Sequence, residues 1–246
     1  MSVNAAYGGD ESYAASAGTT GIASAPQPGV TAALKVLKGT VTITLPAHGV
    51  RGGHRVGAGA IETLVPLKGE TVGVPVGSTV NATKGIASIT TAAQFRSART
   101  PHPVLQTGTF SVAIFTIEQM TERQALARVH AKPKHKRKPP PPSTDLQLRT
   151  PIGAVARAHC HRQGAPGGGL VRALSATAKG LYRTMGANSI TTTTNATWVV
   201  KDLCNGTETE VGRGHAVVTA LHPTSKHHSS VTLGPGQAVL VKGRYR

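Results

Sequence analysis

From Gly180 to Gly243 the chain is written in short β-prone runs, such as S-I-T-T-T-T-N-A-T-W-V-V and H-A-V-V-T-A. Asn-Gly, Gly-x-Gly and Gly-Pro-Gly separate them. β-branched and aromatic side chains suit a pleated surface. Asn-Gly and paired glycines supply the positive φ that tight hairpins need. The segment therefore reads as packed β-hairpins. It fixes an architecture and carries no chemistry of its own.

Composition narrows what such a sheet can bury. With 246 residues the chain holds one large β domain or two small ones. It has 29 glycines, 16 prolines and only 3% aromatic residues, and its 39% hydrophobic content is rich in Ala and Val. A buried Val contributes only about 1.5–3 kcal/mol, so the core must be wide and thin. The period-2 alternation favours a β-rich globular protein over a disordered chain.

Along the chain, residues 1–31 are Gly, Ala, Ser and Thr without period and read as a disordered tail. Residues 32–127 form a first β unit. In it Val41, Ile43 and Leu45 alternate with Thr40, Thr42 and Thr44. Pro66 and Pro75 lack an N–H and place their strands at an edge, or end them. Thr109 to Ile117 reads as one strand covered on both faces, with Phe110, Val112 and Ile114 on one side and Ala113, Phe115 and Ile117 on the other. The good helix formers from Glu118 to His130 allow one short helix. Residues 128–145 are a basic, proline-rich linker, and residues 146–246 a second β unit with a short strand at Leu146 to Thr150. Trp198, the only tryptophan, is the expected core anchor beside Val200 and Leu203.

The formal charge is +17, from 27 basic and 10 acidic residues. That balance suits a solvated surface or affinity for a polyanion. Within the linker, Arg128, Lys132, Lys134, Lys136, Arg137 and Lys138 are the candidate anion-binding residues. They serve either as an electrostatic tether or as a solvated spacer. Stacking aromatics are not interleaved with them, so any phosphate attraction would be salt-dependent and sequence-blind.

Residue patterns that carry catalysis are missing. His159 and His161 flank Cys160 too closely for all three to converge on one zinc ion, and no second ligand pair stands at the right spacing. His227-His228 reads as surface. Glu208 and Glu210 face the same way on a strand, a weak glycosidase-like signal without a cleft. G-A-P-G-G-G lacks the lysine of a phosphate loop. Asn81, Asn195 and Asn205 head Asn-x-Thr sequons, which matter only in a eukaryotic secretory setting. No catalytic, cofactor or metal residue is assigned, and the chain is expected not to be an enzyme. No run of apolar residues is long enough for a membrane-spanning helix, and the first residues lack a standard secretory signal. Cys160 and Cys204, with no C-x-x-C, suit either one disulfide in an oxidising compartment or two buried thiols in a reducing one.

The string W-V-V-K-D-L-C-N-G-T-E-T-E-V-G-R-G, with Gly180, Arg183, Gly186, Val217, Gly236 and Val239 around it, resembles the FecR-like β domain of surface or secreted proteins in high-GC Gram-positive bacteria. The segment V-P-L-K-G-E-T-V-G-V-P-V-G and Q-T-G-T-F in the first unit resemble the same family. The resemblance spans most of residues 36–118 and 146–243. It implies an all-β protein of two FecR-like units, built as a sandwich or a β-roll, and a Cys160–Cys204 disulfide. It also implies an extracellular or cell-surface location and a non-catalytic, structural or ligand-presenting role. The partner expected is an anionic cell-envelope polymer, with non-specific nucleic-acid binding as the alternative. The membrane anchor and regulatory segment of iron-signalling FecR proteins have no counterpart here, so that signalling role does not carry over.

Overall fold

The computed structural model describes residues 2–7, 16–21, 25–46, 50–51, 54–55, 63–94, 104–121, 124, 141–149, 160, 169–222 and 230–243. They are nearly all strand, so the chain is an all-β protein. Residues 1–31, expected without regular structure, hold an antiparallel pair, β1 (Ser2–Tyr7) and β2 (Ser16–Gly21). A ladder between the two runs satisfies their backbone groups mutually. β4 (Val50–Arg51) and β5 (His54–Arg55) form a second small pair.

Twelve strands make one sheet. Its first half comprises β3 (Thr31–Thr44), β6 (Thr63–Leu64), β7 (Thr71–Pro75), β8 (Thr79–Ala92), β9 (Leu105–Ser111) and β10 (Ile114–Glu118). Its second half comprises β11 (Thr144–Arg149), β12 (Leu170–Met185), β13 (Ser189–Leu203), β14 (Gly206–Ala220), β15 (Ser230–Leu233) and β16 (Gln237–Lys242). β6 and β7 pair only with β3 and lie at the sheet edge; Pro66 falls just after β6, outside the strand. Pro75 is the last residue of β7, where a missing N–H costs the ladder least.

The long strands carry bulges, and the hydrophobic pattern follows them. In β3 the buried residues are Ala32, Leu34 and Val36, then Val41 and Ile43. In β8 they are Val80 and Ala82, then Ala87 and Ile89. In β14 they run Thr207, Thr209 and Val211, then Ala216 and Val218. Each switch of parity coincides with a register shift between neighbours. An extra residue would throw every later side chain to the wrong face, and here the apolar positions move by one to compensate. Gly39 and Gly214 sit at these bends with φ of 67° and 76°. A Cβ at either would strike the backbone carbonyl of the facing strand, Lys84 or Asn195.

The stretch expected as a single strand with two covered faces is broken. Val112 has φ 64° and is 56% exposed. Its N–H donates to the Ala82 carbonyl at 3.0 Å, and Ala113 accepts from Ala82 at 2.8 Å. The kink shifts the alternation, so Phe110, Ala113, Phe115 and Ile117 all enter the same core. A β-branched residue with positive φ is strained by about 1–2 kcal/mol. Of the helix expected from Glu118 to His130, Glu118 to Thr121 are strand end and coil, Gln124 is helical, and the rest lies outside the described residues.

The two β stretches share one sheet and one core. β9 pairs with β8 on one side and β12 on the other. Beyond the Val112 kink, β11 enters between β10, to which it is antiparallel, and β12, to which it is parallel. The core draws Leu34, Ile43, Ile89 and Phe115 from before residue 128 and Leu146, Leu174, Tyr182 and Trp198 from after 145. Side chains this small fill a core only when pooled from many strands.

Candidate functional site

The insertion of β11 creates a polar junction. Gln106 on β9 donates from Nε2 to the Pro142 carbonyl at 3.2 Å and to Thr144 Oγ1 at 2.8 Å. Its Oε1 accepts from the Leu181 N–H at 2.8 Å. Thr144 in turn shares a hydrogen bond with Thr91. Gln119 donates to the Ala92 carbonyl at 2.8 Å and accepts from Gly29 N–H at 3.1 Å. Both glutamines are buried, and each joins segments far apart in sequence. Buried amides with their partners satisfied specify register.

Beside this junction is a cleft of about 550 Å³ lined by Val76, Gly77, Gln119, Met120, Gln124 and the charged trio Glu118, Asp145 and Arg183. Arg183 on β12 makes a two-point contact with the Asp145 carboxylate on β11, its Nε donating at 2.7 Å. Ser143 Oγ donates to the same carboxylate at 2.8 Å. The bond to Asp145 holds the Arg183 guanidinium above its ordinary range, against the opposing effect of burial. The pair thus fastens β11 to β12, and its chemistry is committed to that task. Glu118 stands at the exposed rim.

Tyr182 closes the floor of the junction. Its hydroxyl donates to the Ile89 carbonyl at 3.1 Å, and its ring lies 5.5 Å from that of Phe110. Burial pushes its phenol well above the usual tyrosine range, partly offset by a hydrogen bond with Thr91.

A second polar centre lies at the β12–β13 turn. Asp202 is fully buried. Arg172 Nε donates to it at 2.6 Å, and the Ala187 N–H and Thr207 Oγ1 donate at 2.9 and 2.5 Å. Arg172 also reaches the Leu148 carbonyl at 2.7 Å. A carboxylate with this many donors is satisfied although it has lost its water. The turn that follows carries Cys204, disulfide-bonded to Cys160 with Cα atoms 5.4 Å apart and 44 residues of separation. The Cys204 N–H donates to the Gly169 carbonyl at 3.0 Å.

Trp198 is fully buried and donates from Nε1 to Thr184 Oγ1 at 3.1 Å. Glu208 and Glu210 do share a strand face, and Lys201 Nζ lies 3.5 Å from each. A lysine between two carboxylates makes a surface ion pair of small energy. The basic residues Arg128, Lys132, Lys134, Lys136, Arg137 and Lys138 lie outside the described residues, as do His159, His161, His227 and His228. Among the described residues no three His, Cys, Asp or Glu side chains gather as metal ligands, and no helix is long and apolar enough to cross a membrane. The pairs Asp145–Arg183 and Arg172–Asp202 escaped the sequence reading. Their members are 38 and 30 residues apart, and strand order alone brings them together.

No family model matches the chain, and neither the curated proteins nor the solved structures contain a match.

Proposed function

We propose that this chain is a non-catalytic, FecR-like β module of the cell surface that presents a rigid sheet and docks on an anionic envelope polymer through residues 128–138. The observation that carries this reading is the Cys160–Cys204 disulfide. Such bonds persist in oxidising compartments and are rare in the cytosol. The resemblance of W-V-V-K-D-L-C-N-G-T to FecR-like domains agrees with it, and a formal charge of +17 supplies the attraction to a polyanion. The buried carboxylates Asp145 and Asp202 are occupied in holding strands together, which fits a presenting role.

The test is binding of the full chain to a poly(glycerol phosphate) polymer and to duplex DNA across a salt series. Neutralising Arg128, Lys132, Lys134, Lys136, Arg137 and Lys138 to Gln should abolish most polymer binding. Affinity should fall steeply with salt, since each phosphate contact releases a counterion. Polymer binding that survives this neutralisation overturns the assignment of the segment. Tighter binding to DNA than to the polymer turns the reading to the nucleic-acid alternative.

A further inference from the structure

The edge of the sheet around the β3 bulge carries exposed lysines and exposed apolar side chains on adjoining segments. Leu37 is the extra residue of that bulge, between Val36↔Ala87 and Lys38↔Ile86, and is 40% exposed. The turn between β6 and β7 lies alongside, since Lys68 bridges to Val36 and the Gly69 N–H donates to the Val36 carbonyl at 2.8 Å. That turn carries Val65 and Leu67, 59% and 76% exposed. Leu67 thus leaves most of its surface in water while its backbone is held in place. The Glu70 carboxylate accepts its N–H at 2.8 Å, which fixes the turn.

Four exposed lysines lie on these and the neighbouring segments. Lys35 and Lys38 are exposed on β3, Lys68 on the turn, and Lys84 on β8 opposite Thr40. Glu70 is the only acid on these segments, and it is engaged by the turn. Exposed apolar side chains and lysines on adjoining segments match the two layers of an anionic bilayer surface. The side chains enter the acyl boundary while the ammonium groups meet phosphate headgroups. A soluble polyanion would use the lysines and leave Leu67 in water.

We infer that the β3 bulge and the Val65–Lys68 turn form a peripheral anchor for anionic lipid membranes, separate from residues 128–138. The test uses the full chain with vesicles of phosphatidylcholine alone or mixed with phosphatidylglycerol, read by co-sedimentation. The chain should bind the mixed vesicles and leave the zwitterionic ones. Leu67→Ser, at a site too exposed to affect folding, should weaken partitioning about tenfold. Replacing Lys38, Lys68 and Lys84 by Gln should weaken it about fivefold per lysine. The variant neutralised at 128–138 should retain the Leu67 dependence, which separates this anchor from the polymer site. Equal binding to both vesicle types overturns the inference. So does unchanged partitioning of Leu67→Ser, which would mark the lysines as a soluble-polyanion surface only.

Discussion

The two ends of the sheet are held together by different means. Around β3, β8 to β12 and the C-terminal half of β13, one cluster of 23 buried apolar residues includes Trp198, Phe110, Phe115 and Leu34. At the C-terminal edge, β14 to β16 bury only four, Val211, Ala216, Val218 and Leu233, with Val239 and Val241 half-covered. Four small side chains at about 1.5–3 kcal/mol each do not offset the ordering of three strands. Polar links supply what burial does not. Thr191 and Thr209 share a hydrogen bond at 2.8 Å across buried faces of β13 and β14, Asp202 gathers its donors, and the disulfide fixes the hairpin turn. Hydrogen bonds stabilise less per group than burial, but they set register closely. The apolar region therefore provides stability, and the polar edge provides geometry.

Removing the ring at the centre of the apolar region should have the largest effect. Trp198→Ala is expected to cost about 3–5 kcal/mol of unfolding free energy, read by guanidinium titration. A loss under about 1 kcal/mol would mean that the core has another anchor. Reducing the disulfide, or replacing Cys160 and Cys204 by Ser, is expected to cost about 2–4 kcal/mol, since the crosslink limits the unfolded chain. Its signature should be regional: amide exchange should rise first in β13 and β14 while β3 and β8 stay protected. A uniform rise would erase the distinction between the two ends. The smallest effect concerns pH. Tyr182 is neutral in the fold, with its phenol raised above the ordinary value of 10.0. A raised folded value contributes nothing to the slope below the unfolded one. Stability should therefore be level up to about pH 10 and fall above it, by at most about 1.4 kcal/mol per pH unit. Tyr182→Phe should flatten that alkaline limb, and an unchanged slope would assign it to other groups.

Much of the inner face was readable from single runs. Val41 and Ile43 alternate with threonines, and both are buried. Trp198 stands out in a chain with so few aromatic residues. Bulges hid the length of the strands, because each shift of parity makes one long strand resemble two short ones. The run from Thr109 to Ile117 misled for the same reason. Two covered faces and one kinked strand give the same apolar pattern, and only the positive φ at Val112 separates them. Nothing local announced that β11 would lie parallel to β12, or that Asp145 would meet Arg183, because parallel pairing leaves no turn to read. With only two cysteines the partners were never in question; the residues left disulfide and free thiols open, and the resemblance favoured the disulfide that forms.

The seating of β11 between β10 and β12 bears on how the chain could be divided. The connection from Gln124 to Pro141 joins two pieces that each lack part of a common interior. Cleavage there should release neither piece, and the nicked protein should sediment as one particle. Expressed separately, each piece would display a broad oily surface and an unsatisfied strand border until it met the other. Split in this way, the protein would become an obligate two-chain complex.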